Sequence, residues 1–153
     1  MALRLSRKLM GPRRIDIGYG VAFHVRPFTF ADFKNAEASA VRIAEESRSP
    51  MDAAAVEAID EEDMPPEVED AFRGDFAQAL LLVLLQRYGE GWEGVETEAG
   101  TPASFDRRSI LEFLDLFPGA GQTLQREILL PFHVLVSEGN GSAPSQDTAS
   151  AEA

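Results

Sequence analysis

The chain has 153 residues, 44% of them hydrophobic, no cysteine and a net charge of −12. A single domain with its own core is expected at this length, and the lack of cysteine excludes disulfides, thiolate metal sites and cysteine nucleophiles. The acidic balance argues against nucleic-acid binding, and the longest aliphatic run, residues 79–85, is too short for a membrane span of about 20 residues.

The N-terminal part predicts a basic arm followed by a β-hairpin. Residues 1–13 are rich in arginine and lysine, contain no acid, and are predicted to form a flexible arm. Apolar residues then alternate on both sides of Gly18, Tyr19 and Gly20, which is typical of a hairpin. Pro27 ends the second strand because proline cannot donate to a ladder of hydrogen bonds.

Two long helices are predicted next. Thr29 followed three residues later by Asp32 predicts a capped helix start, and apolar residues at three- and four-residue spacing carry this helix to near Ser47. The second helix begins near Pro66 and ends near Gly89, because proline is tolerated in a first turn. Its segment 80–85 is apolar on all sides, which indicates a central helix or one that lends a face to a partner.

Between these helices lies an acidic segment. A short helix is predicted around residues 53–59, and an acidic linker around 57–66. The four consecutive acids at 60–63 lack the spacing and the central glycine of a calcium-binding loop. They are interpreted as a solvated linker, with a docking strip for a basic partner as the alternative.

The segment from Trp92 to Pro102 predicts a shaped loop rather than a helix or a strand. In this interpretation Trp92, Val95 and Phe105 fix the loop to the neighbouring helices.

Two more helices and a tail complete the prediction. Ser104 or Asp106 caps the third helix, which Pro118 and Gly119 stop. The fourth helix runs from about residue 122 to 137, and Pro131 is expected to kink it. Residues 14–138 therefore form a single, mainly α domain of α+β class, with a hairpin and about four or five helices. Residues 139–153, rich in glycine, serine and alanine, are predicted to be a disordered tail.

No catalytic set is found. Residues 118–123 superficially resemble a phosphate-binding loop, but that motif needs a glycine at Leu116, a lysine at Gln122 and a preceding strand. His24 and His133 are interpreted as ordinary histidines, and the Gly-x-Ser-x-Gly pattern of many hydrolases is absent. The chain is therefore expected not to be an enzyme, and no cofactor or metal is expected.

The order of motifs carries a resemblance to a known family. The motifs are the hairpin, Val-Arg-Pro-Phe-Thr at 25–29 before an alanine-rich helix, the leucine-rich helix, Trp-Glu-Gly-Val at 92–95, Gly-Thr-Pro at 100–102, and Ser-Glu-Gly-Asn-Gly-Ser at 137–142 after two more helices. Across residues 15–142 the chain resembles the tail assembly chaperones of long-tailed bacteriophages and prophages. One difference is Gly139, which stands where the family pattern carries a lysine.

The resemblance implies a non-catalytic role in virion assembly. Such proteins coat the tape-measure protein, keep it soluble, help tail-tube subunits polymerise around it, and leave before the virion matures. The implied partners are thus the tape-measure protein and the tail-tube protein, in the cytoplasm of a bacterial host, with no nucleic acid and no membrane. A homo-oligomer is compatible with the sequence, and many phages also make a longer, frameshifted form.

Two other functions stay open at this stage. The chain is alternatively a structural tail or connector component retained in the virion. A third hypothesis is an acidic regulatory protein that binds a basic partner through residues 60–63.

The expected partner surface is a set of leucine and valine side chains that lie off the main inward stripes of their helices. Surplus aliphatic faces of this kind build grooves for apolar helices. The predicted partner-binding residues are Leu81, Leu85, Leu129 and Val136.

Overall fold

The computed structural model describes Leu5, residues 11–47 and residues 65–141, with side chains through Pro131. Most of the predicted basic arm, the short helix around 53–59, most of the acidic linker and the tail beyond residue 141 lie outside the described residues. Within them, three strands and four helices are found. The predicted α+β class, with an N-terminal hairpin followed by helices, is confirmed.

The sheet is antiparallel, with β2 (Val21–Val25) between β1 (Arg13–Gly18) and β3 (Gly89–Glu93). β1 and β2 form the predicted hairpin. β3 was not predicted, because its sequence holds two glycines and lacks a strand pattern. Pairing with β2 holds β3 in place, with Phe23 opposite Trp92. The prediction of a loop was therefore wrong for residues 92–93 and stands from Gly94 onward.

Helix α1 (Phe30–Glu46) packs against helix α2 (Pro66–Tyr88). The predicted cap of α1 is confirmed: the Asp32 amide donates to Thr29 Oγ1 at 3.1 Å, and the Thr29 amide donates to Asp32 Oδ2 at 2.9 Å. α1 turns a face of small residues inward, whose buried members are Ala36, Ser39, Ala40 and Ala44. These let α2 come close, and all residues from 79 to 85 of α2 are buried.

Helix α3 (Arg107–Leu116) is capped by Asp106, whose Oδ1 accepts from the Ser109 amide at 2.8 Å. Helix α4 (Pro118–Gly141) begins directly after Phe117, four residues earlier than predicted, since proline fits a first helical turn. Its backbone continues to Gly141, into the segment that was predicted as tail.

Pro131 lies inside α4 and leaves the carbonyl of Glu127 without its usual helical donor. Arg13 of β1 supplies a replacement, because its Nη2 donates to that carbonyl at 2.6 Å. The same guanidinium also donates to the carbonyl of Ile128 at 3.4 Å. The proline is thus accommodated by a residue from the start of the sheet, which fastens α4 to β1.

Candidate functional site

The leucines predicted as an open partner face on α2 are in the core. Leu81 is 6% exposed and Leu85 is fully buried. Leu81, Ile128 and Leu129 line one narrow crevice between α2 and α4, so Leu81 faces another helix of the same chain. The prediction that Leu81 and Leu85 lie on an open surface is therefore wrong. All residues from 79 to 85 are buried, so the segment is apolar on all sides because it belongs to the core.

The two predicted partner residues on α4 differ from these. Leu129 is half-buried against the core. Val136 belongs to the helix, but its side chain lies outside the described residues. Leu129 therefore does not present a fully open apolar face.

Trp92 lies at the centre of an aromatic cluster beneath the loop that follows β3. Its ring centroid is 5.7 Å from that of Phe23, 5.2 Å from that of Phe105 and 5.7 Å from that of Phe113. Its indole Nε1 donates to the carbonyl of Ala103 at 2.9 Å. Burying the rings and satisfying the N–H together fix the loop to the core.

The loop from 94 to 106 has its own hydrogen bonds. The Ala103 amide donates to the carbonyl of Val95 at 2.9 Å, and the Thr97 amide donates to the carbonyl of Thr101 at 2.7 Å. The side chains of Val95 and Phe105 are half-buried against the core. The three residues predicted to anchor the loop, Trp92, Val95 and Phe105, therefore all pack against the core.

Gly94 joins this loop to the hairpin turn. Its φ of +79° is in the left-handed region, and a Cβ there would lie 2.9 Å from the carbonyl carbon of Gly20. Only glycine allows the two backbones to come this close. The turn and the loop thereby form one continuous wall.

Opposite this wall, the corner between α3 and α4 completes an open groove of about 760 Å³, which we call the corner groove. It is lined by Ile17, Gly18, Tyr19, Val21, Gly94, Val95, Glu96, Phe113, Leu116, Phe117, Pro118, Gly119, Ala120 and Thr123. Its volume lies in the range of ligand-binding clefts, and most of its lining side chains are apolar.

Three large apolar or aromatic side chains of the corner groove are exposed. Tyr19 projects fully into solvent from the hairpin turn, where its φ of +55° is unusual for a residue with a side chain. Leu116 and Phe117 are 65% and 54% exposed. The Phe117 ring lies 5.3 Å from that of the buried Phe113, so the groove is continuous with the aromatic cluster. Sequence reasoning missed this site, although two apolar residues directly before Pro118 were a signal for it.

A surface charge network lies on the strands that lead into the groove wall. The Glu93 carboxylate accepts from Arg14 Nε at 2.9 Å and lies 3.1 Å from His24 Nε2. The hydrogen bond from Arg14, and then that from His24, lowers the pKa of Glu93 below its ordinary value of 4.5. His24, considered above as an ordinary histidine, takes part in this cross-strand pairing.

We predict that Glu93→Gln flattens the acid side of the stability profile. Because the pKa of Glu93 is lower in the folded state, its contribution is complete above pH 4.5 and is lost as the pH falls through the lowered pKa. The variant should therefore have a lower Tm than the wild type near neutral pH, and the two values should converge as the pH falls below the lowered pKa of Glu93. Glu90→Gln, which removes an acid of the same strand that has no ion pair among the described residues, is the control and should keep the wild-type slope.

Other kinds of site were sought among the described residues. They contain no group of three histidine, aspartate or glutamate side chains arranged to hold a metal ion. None of their helices is long and apolar enough to cross a lipid bilayer. Residues 118–123, considered above as a phosphate loop, form the first turns of α4. The corner groove is thus the best-formed candidate site in the part of the chain that the structure describes.

Comparisons of the chain with protein-family models, with curated proteins and with solved structures give no match.

Proposed function

We propose that the chain is a non-catalytic tail assembly chaperone that holds apolar helical segments of a tape-measure protein in the corner groove. The observation that carries the proposal is the groove itself, with Tyr19, Leu116 and Phe117 exposed around its opening. The motif resemblance supplies the identity of the partner. In this proposal the protein acts in the cytoplasm of a bacterial host during virion assembly and also assists the tail-tube protein.

The shape of the groove supports a helical ligand. Proteins that bind an amphipathic helix receive a few anchor side chains, spaced three or four residues apart, in an apolar cleft. The corner groove offers about 760 Å³ for such anchors. Phe113 lines the groove and packs against Trp92 in the aromatic cluster, so this side of the groove is held by packed rings and little ordering is needed when a ligand binds.

The negative charge of the chain favours a helical ligand that carries basic residues. Among the described residues, Glu96 is the one carboxylate that lines the groove, and the chain as a whole carries a net charge of −12. A helix whose apolar face is flanked by lysine or arginine would match this field, whereas an acidic helix would be repelled. We therefore expect the bound segments to be apolar with basic flanks.

Co-expression of the chain with a tape-measure protein tests the proposal. The double variant Leu116→Ser with Phe117→Ser should lower the soluble fraction of the tape-measure protein several-fold, because it removes two apolar contacts from the groove. Its free energy of unfolding should change by only about 1 kcal/mol, since both side chains are largely exposed.

The matched control is Leu130→Ser, which removes an exposed leucine of α4 that does not line the groove. It should leave the soluble fraction as in the wild type. Equal solubilisation by the double variant and the wild type would contradict the proposal. Stoichiometric copies of the chain in purified virions would favour a structural tail component instead.

A further inference from the structure

Two arginines converge on a buried serine at the contact between α1 and α2. Ser39 is the one buried polar side chain among the described residues. Its Oγ accepts a hydrogen bond from Arg87 Nη2 at 2.7 Å and another from Arg42 Nη2 at 3.2 Å. Because both guanidinium groups bond the same oxygen, they lie close enough to repel each other.

Neither guanidinium pairs with a carboxylate of the described residues. Within residues 11–47 and 65–131, Arg42 and Arg87 make no ion pair, although the chain has many more acids than bases. A third guanidinium is close by, since Arg26 donates to the backbone carbonyl of Arg87 and lies 5.8 Å from the ring centre of Tyr88. Three guanidinium groups therefore lie at this end of α2, together with the carboxylate of Asp32, which hydrogen-bonds the Tyr88 side chain.

The two arginines border a shallow cavity of about 290 Å³, lined by Ser39, Arg42, Ile43, Glu46, Val83, Gln86 and Arg87. Both arginine residues are exposed, so their remaining N–H donors are accessible from solvent. The side-chain amide of Gln86, which also lines the cavity, supplies further N–H donors.

We propose that Arg42 and Arg87 bind a small oxyanion, a phosphate or a carboxylate group, in this cavity. Guanidinium groups form their strongest hydrogen bonds with such groups, and the planar fork of each arginine can engage two oxygens. An anion between the two arginines also removes their mutual repulsion. The site shares no lining residue with the corner groove, so it extends beyond the proposed function.

Negative charge on the chain opposes the binding of an anion at this site. The net charge of −12 acts mainly at long range and is screened beyond about 8 Å at physiological ionic strength. The Glu46 carboxylate acts from closer range, because Glu46 lines the same cavity. Glu46→Gln should therefore strengthen oxyanion binding. A weaker affinity in this variant would contradict the proposed site.

Titration of the ¹⁵N-labelled chain with inorganic phosphate, and separately with acetate, tests the proposal against sodium chloride of equal ionic strength. We expect saturable shifts of the Ser39, Arg42, Gln86 and Arg87 amides. Saturation by phosphate alone identifies a phosphate site, and saturation by acetate as well identifies a general oxyanion site. Shifts no larger than those caused by chloride would overturn the proposal.

Variants localise the binding. Arg42→Gln and Arg87→Gln should each weaken phosphate binding about tenfold, as expected for loss of one charge-assisted hydrogen bond. Arg126→Gln, which removes an exposed arginine that pairs with its neighbour Glu127, should bind phosphate as the wild type does. Equal affinity in all three variants would overturn the proposal, and the exposed position of Arg42 makes its variant informative even if Arg87→Gln disturbs the fold.

Discussion

The double variant Leu81→Ser with Leu85→Ser is expected to abolish cooperative folding. Both leucines are in the core, and truncating one buried leucine typically costs about 2–5 kcal/mol. Each serine would also bury a hydroxyl group without a designed partner. Two such losses together approach the whole stability of a small domain, about 5–15 kcal/mol. Urea unfolding followed by circular dichroism should show no cooperative transition.

Leu130→Ser is the control for that experiment, because it makes the same chemical change at an exposed leucine. It should unfold cooperatively, within about 0.5 kcal/mol of the wild type. A cooperatively folded Leu81→Ser/Leu85→Ser protein would show that these leucines are surface residues, and the described core would then be wrong.

Gly94→Ala is expected to destabilise the protein by at least about 3 kcal/mol. The new methyl group would overlap the carbonyl group of Gly20, and alanine would also have to adopt a φ of +79°. The hairpin turn and the loop would have to separate, which would widen the corner groove. The free energy of unfolding in urea measures the loss.

Gly100→Ala isolates the conformational part of this effect, so the difference between the two variants gives the steric part. Gly100 has nearly the same φ, +81°, but an added Cβ there meets no atom within 4 Å. Only the conformational penalty remains, about 1–2 kcal/mol. If the two variants lose the same stability, the close approach of Gly94 to Gly20 does not contribute, and the wall of the groove is not rigid.

Local signals in the sequence were sufficient for much of the fold. The capping box at Thr29 and Asp32 fixes the start of α1 through interactions within four residues, and the cap at Asp106 does the same for α3. The hairpin follows from alternation around a turn rich in glycine. These elements were predictable because their determinants lie next to one another in the chain.

Contacts between distant segments were not predictable in the same way. β3 forms because it pairs with β2, since Gly89 and Gly91 give no strand signal of their own. The donation from Arg13 to the carbonyl of Glu127 joins opposite ends of the described chain. The presence of Pro131 in the sequence showed that one backbone N–H donor would be missing from the helix, but it did not show which residue would replace that donor.

The candidate site was likewise not predictable where it depends on contacts between distant segments. The pattern at residues 80–85 showed a helix apolar on all sides but not what covers each side, so Leu81 and Leu85 were assigned to a partner face. Both belong to the buried core instead, and Leu81 lines a crevice with residues of α4. The corner groove arises where the hairpin turn, the loop after Gly94 and the start of α4 meet, and no single segment contains that information.

Site-specific photocrosslinking to the co-expressed tape-measure protein tests most directly whether the corner groove holds the partner. A photoreactive phenylalanine analogue would replace Phe117 or Tyr19 in the groove, and Leu130 outside it. We predict crosslinks to tape-measure segments from positions 117 and 19, with only background from position 130. Equal yields at all three positions, or none at position 117, would contradict the groove as the site of contact.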